Sequence, residues 1–274
     1  MKLLISADIE GVGSVVRREH SGVQEREYAR ARHFMTQEVN SAIRGAFDAG
    51  ASEVLVTDAH NVGLNLFPED LDERALLIMG SPRPLAMMDG VDRGIDAVCF
   101  VGYHGMAGIA DAAIAHIFHG RVAGLKFNGL GVGEIGLNAL VAGYFGVPVV
   151  MISGDGTACR EAAALIPGIE TAPVKESIGA YAGICRHPVR CREMIYSAVH
   201  RALSRPDRPA PLVMQGEVVM EVRLTTASGI DRALRLPGTE RVSGDTLTYR
   251  AQDFLQAFRA FAVIADLMEL VPFI

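Results

Sequence analysis

Short apolar runs alternate with longer amphipathic segments from residue 1 to about residue 205, and this alternation limits the folds open to the chain. The apolar runs predict strands at 3–6, 54–57, 76–79, 97–101 and 149–152. The segments between them predict helices that include 28–49 and 133–145. Strands that alternate with helices of this length favour an α/β fold of three layers, α/β/α, with a mostly parallel sheet.

The alternation stops at an Arg- and Pro-rich segment, RPDRPAP, at 205–211. Three prolines and three charged residues in seven positions are typical of a linker. Beyond it the sequence predicts an extended segment at 217–224, a short strand near Leu247 and an amphipathic helix from about 251 to 267. We therefore expect an α/β domain at 1–205 and a smaller C-terminal β-β-α subdomain at 211–274.

The composition argues against several classes of protein. Half of the 274 residues are apolar and 21% are charged, which suits a globular chain with a sizeable core. A net charge of −6 without a Lys/Arg block argues against nucleic-acid binding, and no apolar stretch approaches the ~20 residues that span a bilayer. Two acidic residues by position 10 argue against a signal peptide, and four scattered cysteines fit reduced thiols. We expect a cytoplasmic protein with neither a nucleic-acid nor a membrane partner.

Three of the apolar runs are followed by residues of types that can bind metal ions. The first is followed by Asp8 and Glu10, the second by Asp58 and His60, and the third by His104. The carboxyl ends of parallel strands meet at one edge of a sheet, so these side chains should lie close together. One acidic residue at a strand end is often only a turn former, but three such ends in one sheet favour a metal site. Carboxylate and imidazole ligands suit Zn²⁺, with Mn²⁺ and Co²⁺ as alternatives.

Two further candidates follow the third of these strands. His116 lies behind small and apolar residues, with His119 three positions later, and Glu134 lies between two glycines at the start of a predicted helix. A histidine in apolar surroundings can simply be packed, and a helix dipole favours an acidic residue in the first turn without any ligand. The flanking glycines favour a close approach of the backbone to a ligand.

Taken in order, the motifs resemble those of the zinc-dependent D-aminopeptidase (DppA-like) family. They are SADIEG at 6–11, VTDAH at 56–60, VGYHGMAG at 101–108, AHIFHG at 115–120 and VGEIGLNALVAGYFGVPVVMISGD at 132–155. The resemblance covers roughly residues 1–180, and the C-terminal β-β-α segment is also similar to that of the family. It implies two zinc ions per chain and His116 as the catalytic group. It also implies a set of metal ligands with Asp8 as the bridging one: Asp8, Glu10, His60, His104 and Glu134.

The resemblance implies a metallopeptidase that removes N-terminal residues, D-amino acids in particular, from short peptides or amides. His116 would act as nucleophile or as general base, and the sequence leaves both roles open. Members of this family form ring-shaped decamers, which implies a homo-oligomer here. Two alternatives stay open: another dinuclear metal hydrolase, such as an amidase or phosphoesterase, and a non-catalytic metal-binding scaffold. The scaffold is disfavoured because His116 accompanies the complete ligand set.

Overall fold

The computed structural model of the protein describes residues 1–23 and 25–270. Its strands, numbered in chain order, are β1 (Lys2–Ala7), β2 (Glu53–Asp58), β3 (Leu76–Ile78), β4 (Ala97–Tyr103), β5 (Val122–Phe127), β6 (Leu130–Gly131), β7 (Val149–Asp155), β8 (Glu170–Gly179), β9 (Ala182–Cys185), β10 (Val218–Leu224), β11 (Thr239–Arg241) and β12 (Thr246–Ala251). Its helices are α1 (Arg18–Ser21), α2 (Tyr28–Asp48), α3 (Glu134–Tyr144), α4 (Gly156–Leu165), α5 (Pro188–Ser204), α6 (Ala227–Ala233) and α7 (Phe254–Glu269). Among these described helices, none combines the length and the apolar character that a membrane crossing requires.

The central sheet, sheet A, confirms the predicted α/β fold. Its seven strands lie in the order β3-β2-β1-β4-β7-β8-β9, and every neighbouring pair is parallel except β8 and β9. The five predicted strands correspond to β1, β2, β3, β4 and β7. All residues of β4 and β7 are buried, which explains their continuous apolar runs in the sequence. Because β1 lies between β2 and β4, the carboxyl ends of these three strands meet at one edge.

Helices cover both faces of sheet A. On one face, Leu3 and Ile5 of β1 belong to the hydrophobic cluster that contains Val39 of α2 and Ile195 of α5. On the opposite face, Leu4 belongs to the cluster that contains the buried side chains of α3. Successive residues of a strand point to opposite faces, so one strand contributes to two separate cores. The helices predicted at 28–49 and 133–145 are α2 and α3, and the three-layer arrangement is confirmed.

A second, antiparallel sheet, sheet B, joins the C-terminal segment to the middle of the chain. Its order is β11-β12-β10-β5-β6, so the strands after residue 211 pair with a hairpin at 122–131. The helix predicted near 251–267 is α7. Its Phe254 packs edge to face on Phe127, with 5.1 Å between the ring centres, and its Phe261 packs in the same way on Phe118 at 5.4 Å. The predicted β-β-α segment is present, but its sheet also includes two strands from within 1–205. The division into domains at 1–205 and 211–274 stays a prediction.

Candidate metal centre

Three neighbouring strands of sheet A end at the same point and carry four of the predicted metal ligands. Asp8 and Glu10 follow β1, His60 follows β2 and His104 follows β4. The parallel register of β1 with both neighbours brings the three strand ends level. Glu134 is the first residue of α3, where the helix dipole stabilises a carboxylate. All five side chains lie at one edge of the sheet; the strand ends predicted this for Asp8, Glu10, His60 and His104, whereas the family resemblance implied it for Glu134.

Asp8 stands at the middle of this cluster and faces two groups of ligands. Its Oδ1 lies 3.4 Å from His60 Nδ1, and the same nitrogen lies 3.1 Å from Glu10 Oε2. Its Oδ2 lies 3.6 Å from His104 Nε2, which is 3.5 Å from Glu134 Oε2. The two oxygens of one carboxylate therefore belong to two different sets of ligand atoms. This arrangement can place two cations side by side with Asp8 between them.

Both histidines are oriented by hydrogen bonds on the far side of the ring. His60 Nε2 donates to the carbonyl oxygen of Ser21 at 2.9 Å, and His104 Nδ1 donates to that of Gly105 at 3.0 Å. A carbonyl oxygen can only accept, so in each ring this nitrogen carries a proton. The other nitrogen faces the carboxylates and can hold either a proton or a metal ion. Metal-binding histidines usually show this pattern, in which an outer hydrogen bond fixes the ring.

Several polar atoms of the cluster are buried without a hydrogen bond. Among the described residues, Asp8 Oδ2, Glu10 Oε2 and His104 Nε2 have no hydrogen-bond partner. Burying such groups without a partner costs about 1–3 kcal/mol each, and more for charged groups. Metal ions bound in the cluster would satisfy these atoms, and a mixture of carboxylate and imidazole is a donor set that suits Zn²⁺. The residues present therefore fit the zinc site predicted from the sequence.

The buried carboxylates and imidazoles shift one another's pKa values. Burial, reinforced by the charge of Glu10, raises the pKa of Asp8 to about 7. Burial alone would lower the pKa of His104, but the carboxylates of Glu134 and Asp8 outweigh it and raise that pKa to about 10. The cluster thus favours bound cations, whether protons or metal ions. Binding of a divalent metal ion would release the protons.

His116 stands beside this cluster with its ring stacked on that of His104. The two ring centres are 4.2 Å apart and the planes differ by 8°. Its Nδ1 donates to the carbonyl oxygen of Ile114 at 2.8 Å, and its Nε2 lies 3.8 Å from Glu134 Oε1. Burial and the neighbouring His104 lower the pKa of His116, which favours a neutral ring at pH 7. A neutral imidazole with a fixed Nδ1–H has a free lone pair on Nε2, as a base or nucleophile requires.

Lys175, on β8, anchors the loop after β1, and sequence reasoning did not find it. Its side chain is fully buried, and its ammonium group donates to three backbone carbonyls of that loop. These belong to Glu10 at 2.5 Å, Val12 at 3.0 Å and Val15. The three protons of the ammonium group are therefore used to fix the backbone that carries Glu10. No motif marks this lysine, because β8 has no continuous apolar run that would identify it as a strand.

The same loop is held from two other directions. The amide of Gly13 donates to Glu38 Oε1 at 3.0 Å, and the amide of Gly11 donates to the carbonyl oxygen of Gly102 at 2.7 Å. Gly11 packs so closely on the end of β4 that an added Cβ would lie 1.9 Å from the carbonyl oxygen of Tyr103. Only glycine fits this contact without backbone movement. The loop and β4, which together carry most of the cluster, are therefore joined directly.

A cavity of about 210 Å³ opens beside the cluster and gives a substrate access to it. His119, the second histidine singled out in the sequence, also lines this cavity. Helix α7 forms one wall with two small and two acidic side chains, and the segment after β3 forms another with an arginine. The residues that line it include Asp8, His60, His116 and Glu134 of the cluster, Ala262, Ala265, Asp266 and Glu269 of α7, and Arg83.

Comparison with known proteins relates both sheets to one group of enzymes. The Peptidase_M55 family model, described as D-aminopeptidase, matches residues 1–263. A D-aminopeptidase of Bacillus subtilis (strain 168) is 36% identical over 268 residues, which is 97% of each chain. Among solved structures, the Zn-dependent D-aminopeptidase DppA from Bacillus subtilis, a self-compartmentalizing protease, matches with a TM-score of 0.97 and 35% identity over 100% of both chains. The similarity thus extends from the strands that carry the cluster through the C-terminal segment.

Proposed function

The chain belongs to the D-aminopeptidase family, as its motifs predicted, and from this membership and the geometry of the cluster we propose that it is a zinc-dependent D-aminopeptidase. The observation that carries the proposal is the position of Asp8. One of its oxygens faces His60 and the other faces His104, so a single carboxylate lies within reach of ligand atoms on two sides. Neither another dinuclear hydrolase nor a non-catalytic scaffold is favoured by the comparisons.

We propose that the cluster would hold two zinc ions, with Glu10 and His60 as ligands of one, His104 and Glu134 as ligands of the other, and Asp8 as a ligand of both. When bound, the zinc ions lower the pKa of a water molecule and polarise the scissile carbonyl of the substrate. The chain contributes rigid ligands, because hydrogen bonds fix both histidine rings and the loop that carries Glu10. Such preorganisation lets the site stabilise negative charge without rearranging during the reaction.

His116 is the residue that we propose for proton transfer or direct attack on the carbonyl. Its Nδ1–H is held by the carbonyl oxygen of Ile114, so Nε2 carries the lone pair. As a general base, Nε2 takes a proton from the attacking oxygen and returns it to the leaving amine. As a nucleophile, the same lone pair attacks the scissile carbonyl and forms an acyl-imidazolium as the C–N bond breaks; the amine leaves with a proton from water, and the resulting hydroxide releases the acyl group from His116. Both roles need a neutral ring, which the lowered pKa of His116 supports.

The volume and the negative charge of the cavity favour substrates that are short and carry a free amino group. Its volume of about 210 Å³ lies below the ~300–1,000 Å³ of typical ligand pockets, which favours small peptides. Asp266 and Glu269 add negative charge to the wall formed by α7, which favours an ammonium group over a carboxylate near that wall. We propose that short peptides with an N-terminal D-residue are the substrates.

We also propose that copies of this chain assemble, as a ring of ten subunits in the cytoplasm. The similar Bacillus subtilis structure is a self-compartmentalizing protease, and the hairpin of β8 and β9 offers apolar side chains for such contacts. Ile178, Tyr181 and Ile184 on this hairpin are 64%, 53% and 66% exposed. Exposed apolar side chains that lie close together mark association surfaces.

Four free thiols fit a reducing compartment such as the cytoplasm. Light scattering of the purified protein measures the number of subunits.

The experiment that tests the proposed function compares D-alanine and L-alanine p-nitroanilides as substrates. We expect faster hydrolysis of the D-substrate, close to two zinc ions per chain by metal analysis, loss of activity with a chelator, and recovery on adding Zn²⁺. A preference for the L-substrate would contradict the proposed stereochemistry. A metal content at background, unrecovered on adding Zn²⁺, would contradict the metallopeptidase itself.

A further inference from the structure

The wall of the cavity contains one buried cation whose ion pair with a carboxylate is long and lacks a hydrogen bond. Arg83, in the segment after β3, lines the cavity together with Asp8, His116 and Glu134, and its side chain is only 10% exposed. Among the described residues that line this cavity, it is the one lysine or arginine. A buried guanidinium group stays charged, so it needs partners that compensate the loss of water.

The partners of Arg83 within the protein are few and mostly uncharged. Its Nη2 donates to the carbonyl oxygen of Asp58 at 2.7 Å, and its Nη1 donates to that of Ile78 at 3.5 Å. Its Nε is buried without a hydrogen bond among the described residues, and the neighbouring carboxylate oxygen, Asp89 Oδ2, is 3.8 Å away. A guanidinium group has five N–H donors, so more than half of its capacity is unused.

These contacts hold the guanidinium group in place, and among the described residues its ion pair, Nε with Asp89 Oδ2, is long at 3.8 Å. The carbonyl of Asp58 lies at the end of β2, two residues before His60, so the position of Arg83 is tied to the strand that carries a metal-ligand candidate. The planar guanidinium group pairs with a carboxylate through two parallel hydrogen bonds. A carboxylate that enters the cavity would therefore find a fixed, incompletely paired cation beside the catalytic cluster.

We propose that Arg83 forms a subsite for the C-terminal carboxylate of the substrate, so that the enzyme prefers very short peptides with a free C-terminus. This inference rests on the proposed aminopeptidase function, in which the scissile carbonyl lies at the zinc ligands and His116. A peptide anchored there reaches Arg83 with its own carboxylate only if it is short, because Arg83 lines the same small cavity. Amidated and longer peptides lose this interaction.

The test compares D-alanyl-glycine with D-alanyl-glycinamide, two substrates that differ only in the C-terminal charge. For the wild-type enzyme we expect kcat/KM for the free acid to exceed that for the amide by about ten- to a hundredfold, the range of a charged hydrogen bond. In Arg83→Gln this ratio should fall to near one through a higher KM for the acid. Arg83→Lys keeps the charge but not the paired geometry, so its ratio should be intermediate.

The control is Arg74→Gln, which removes an exposed arginine that pairs with Asp72 and does not line the cavity. This variant should keep the wild-type ratio. A purely structural role of Arg83 would lower kcat/KM for both substrates together and leave the ratio unchanged, which would overturn the subsite. Equal rates for acid and amide in the wild-type enzyme would overturn it as well. If the wild type cleaves none of these substrates and no D-alanine p-nitroanilide, the proposed function itself is wrong.

Discussion

We expect Gly11→Ala to abolish tight metal binding, because residue 11 is the point where the loop after β1 touches the end of β4. The added Cβ would lie 1.9 Å from the carbonyl oxygen of Tyr103 and 2.4 Å from the carbonyl carbon of Gly102. Ordinary contacts begin near 3.4 Å, so the two backbone segments must separate by about 1.5 Å. No flexible side chain can absorb this movement, since both sides of the contact are main chain.

The movement acts directly on the ligand geometry. Asp8 and Glu10 precede the contact on one segment, and His104 follows it on the other. Metal sites tolerate changes of roughly 0.2 Å in ligand distances, far less than this separation. A misplacement of about 1 Å also lowers the rate of catalysis by on the order of a hundredfold. Forcing extra volume into a packed region typically costs about 1–3 kcal/mol of folding free energy.

The measurements are zinc affinity by competition with a chelator and the free energy of unfolding in urea. Gly131→Ala provides a matched control, because a Cβ at residue 131 meets no atom within 4 Å. The control should keep the zinc affinity of the wild type and change stability by less than about 0.5 kcal/mol. If Gly11→Ala bound zinc and turned over substrate like the control, the loop could not be held rigidly against β4.

Four further outcomes follow from the cluster and its supports. His116→Ala should keep its zinc content and melting temperature while kcat falls at least about a hundredfold; zinc content that falls in step with activity would make His116 a ligand. Asp8→Ala should lose zinc and activity but keep a native circular dichroism spectrum, and wild-type activity would exclude it as the bridging ligand. Lys175→Met leaves three buried loop carbonyls without their charged donor, so we expect a stability loss of about 1–3 kcal/mol in urea, and an unchanged midpoint would contradict the anchoring role. Burial raises the pKa of Glu38 from 4.5 to about 7, so this group stabilises the fold below pH 4.5 and that contribution is lost as the pH rises through 7. The free energy of unfolding of the zinc-saturated wild type, measured relative to that of Glu38→Gln, should therefore be lower at pH 7.5 than at pH 5. If the two proteins showed parallel pH profiles, the raised pKa of Glu38 would be contradicted.

The convergence of Asp8, Glu10, His60 and His104 could be predicted from the sequence because each of them follows a strand with a clear apolar run. Parallel strands share a direction, so knowledge of the strands alone places Asp8, His60 and His104 at one edge. Glu134 was found by a different signal, the glycines on either side of it at a helix start. Whether these side chains bind zinc as assigned stays a prediction, which the short distances from Asp8 to His60 and His104 and the unpaired atoms support.

Lys175, which holds the loop after β1, and the pairing of β5 with β10 could not be predicted in the same way. Lys175 lies on β8, whose sequence ETAPVKESIG contains three charged residues and a proline and gives no strand signal. β5 also has a mixed burial pattern, and its partner β10 lies about ninety residues further along the chain. Pairings of this kind depend on contacts between distant segments, which local periodicity does not report.

The wall that α7 contributes to the cavity has a consequence for how this enzyme can change. The groups that we propose for metal binding and catalysis belong to the first half of the chain, whereas Ala262 and Ala265 line the cavity from α7. Enlarging either alanine would narrow the cavity without replacing a proposed ligand, His116 or Lys175. Selectivity can therefore vary independently of reactivity, and variants altered only in α7 could accept different peptides through an unaltered catalytic apparatus.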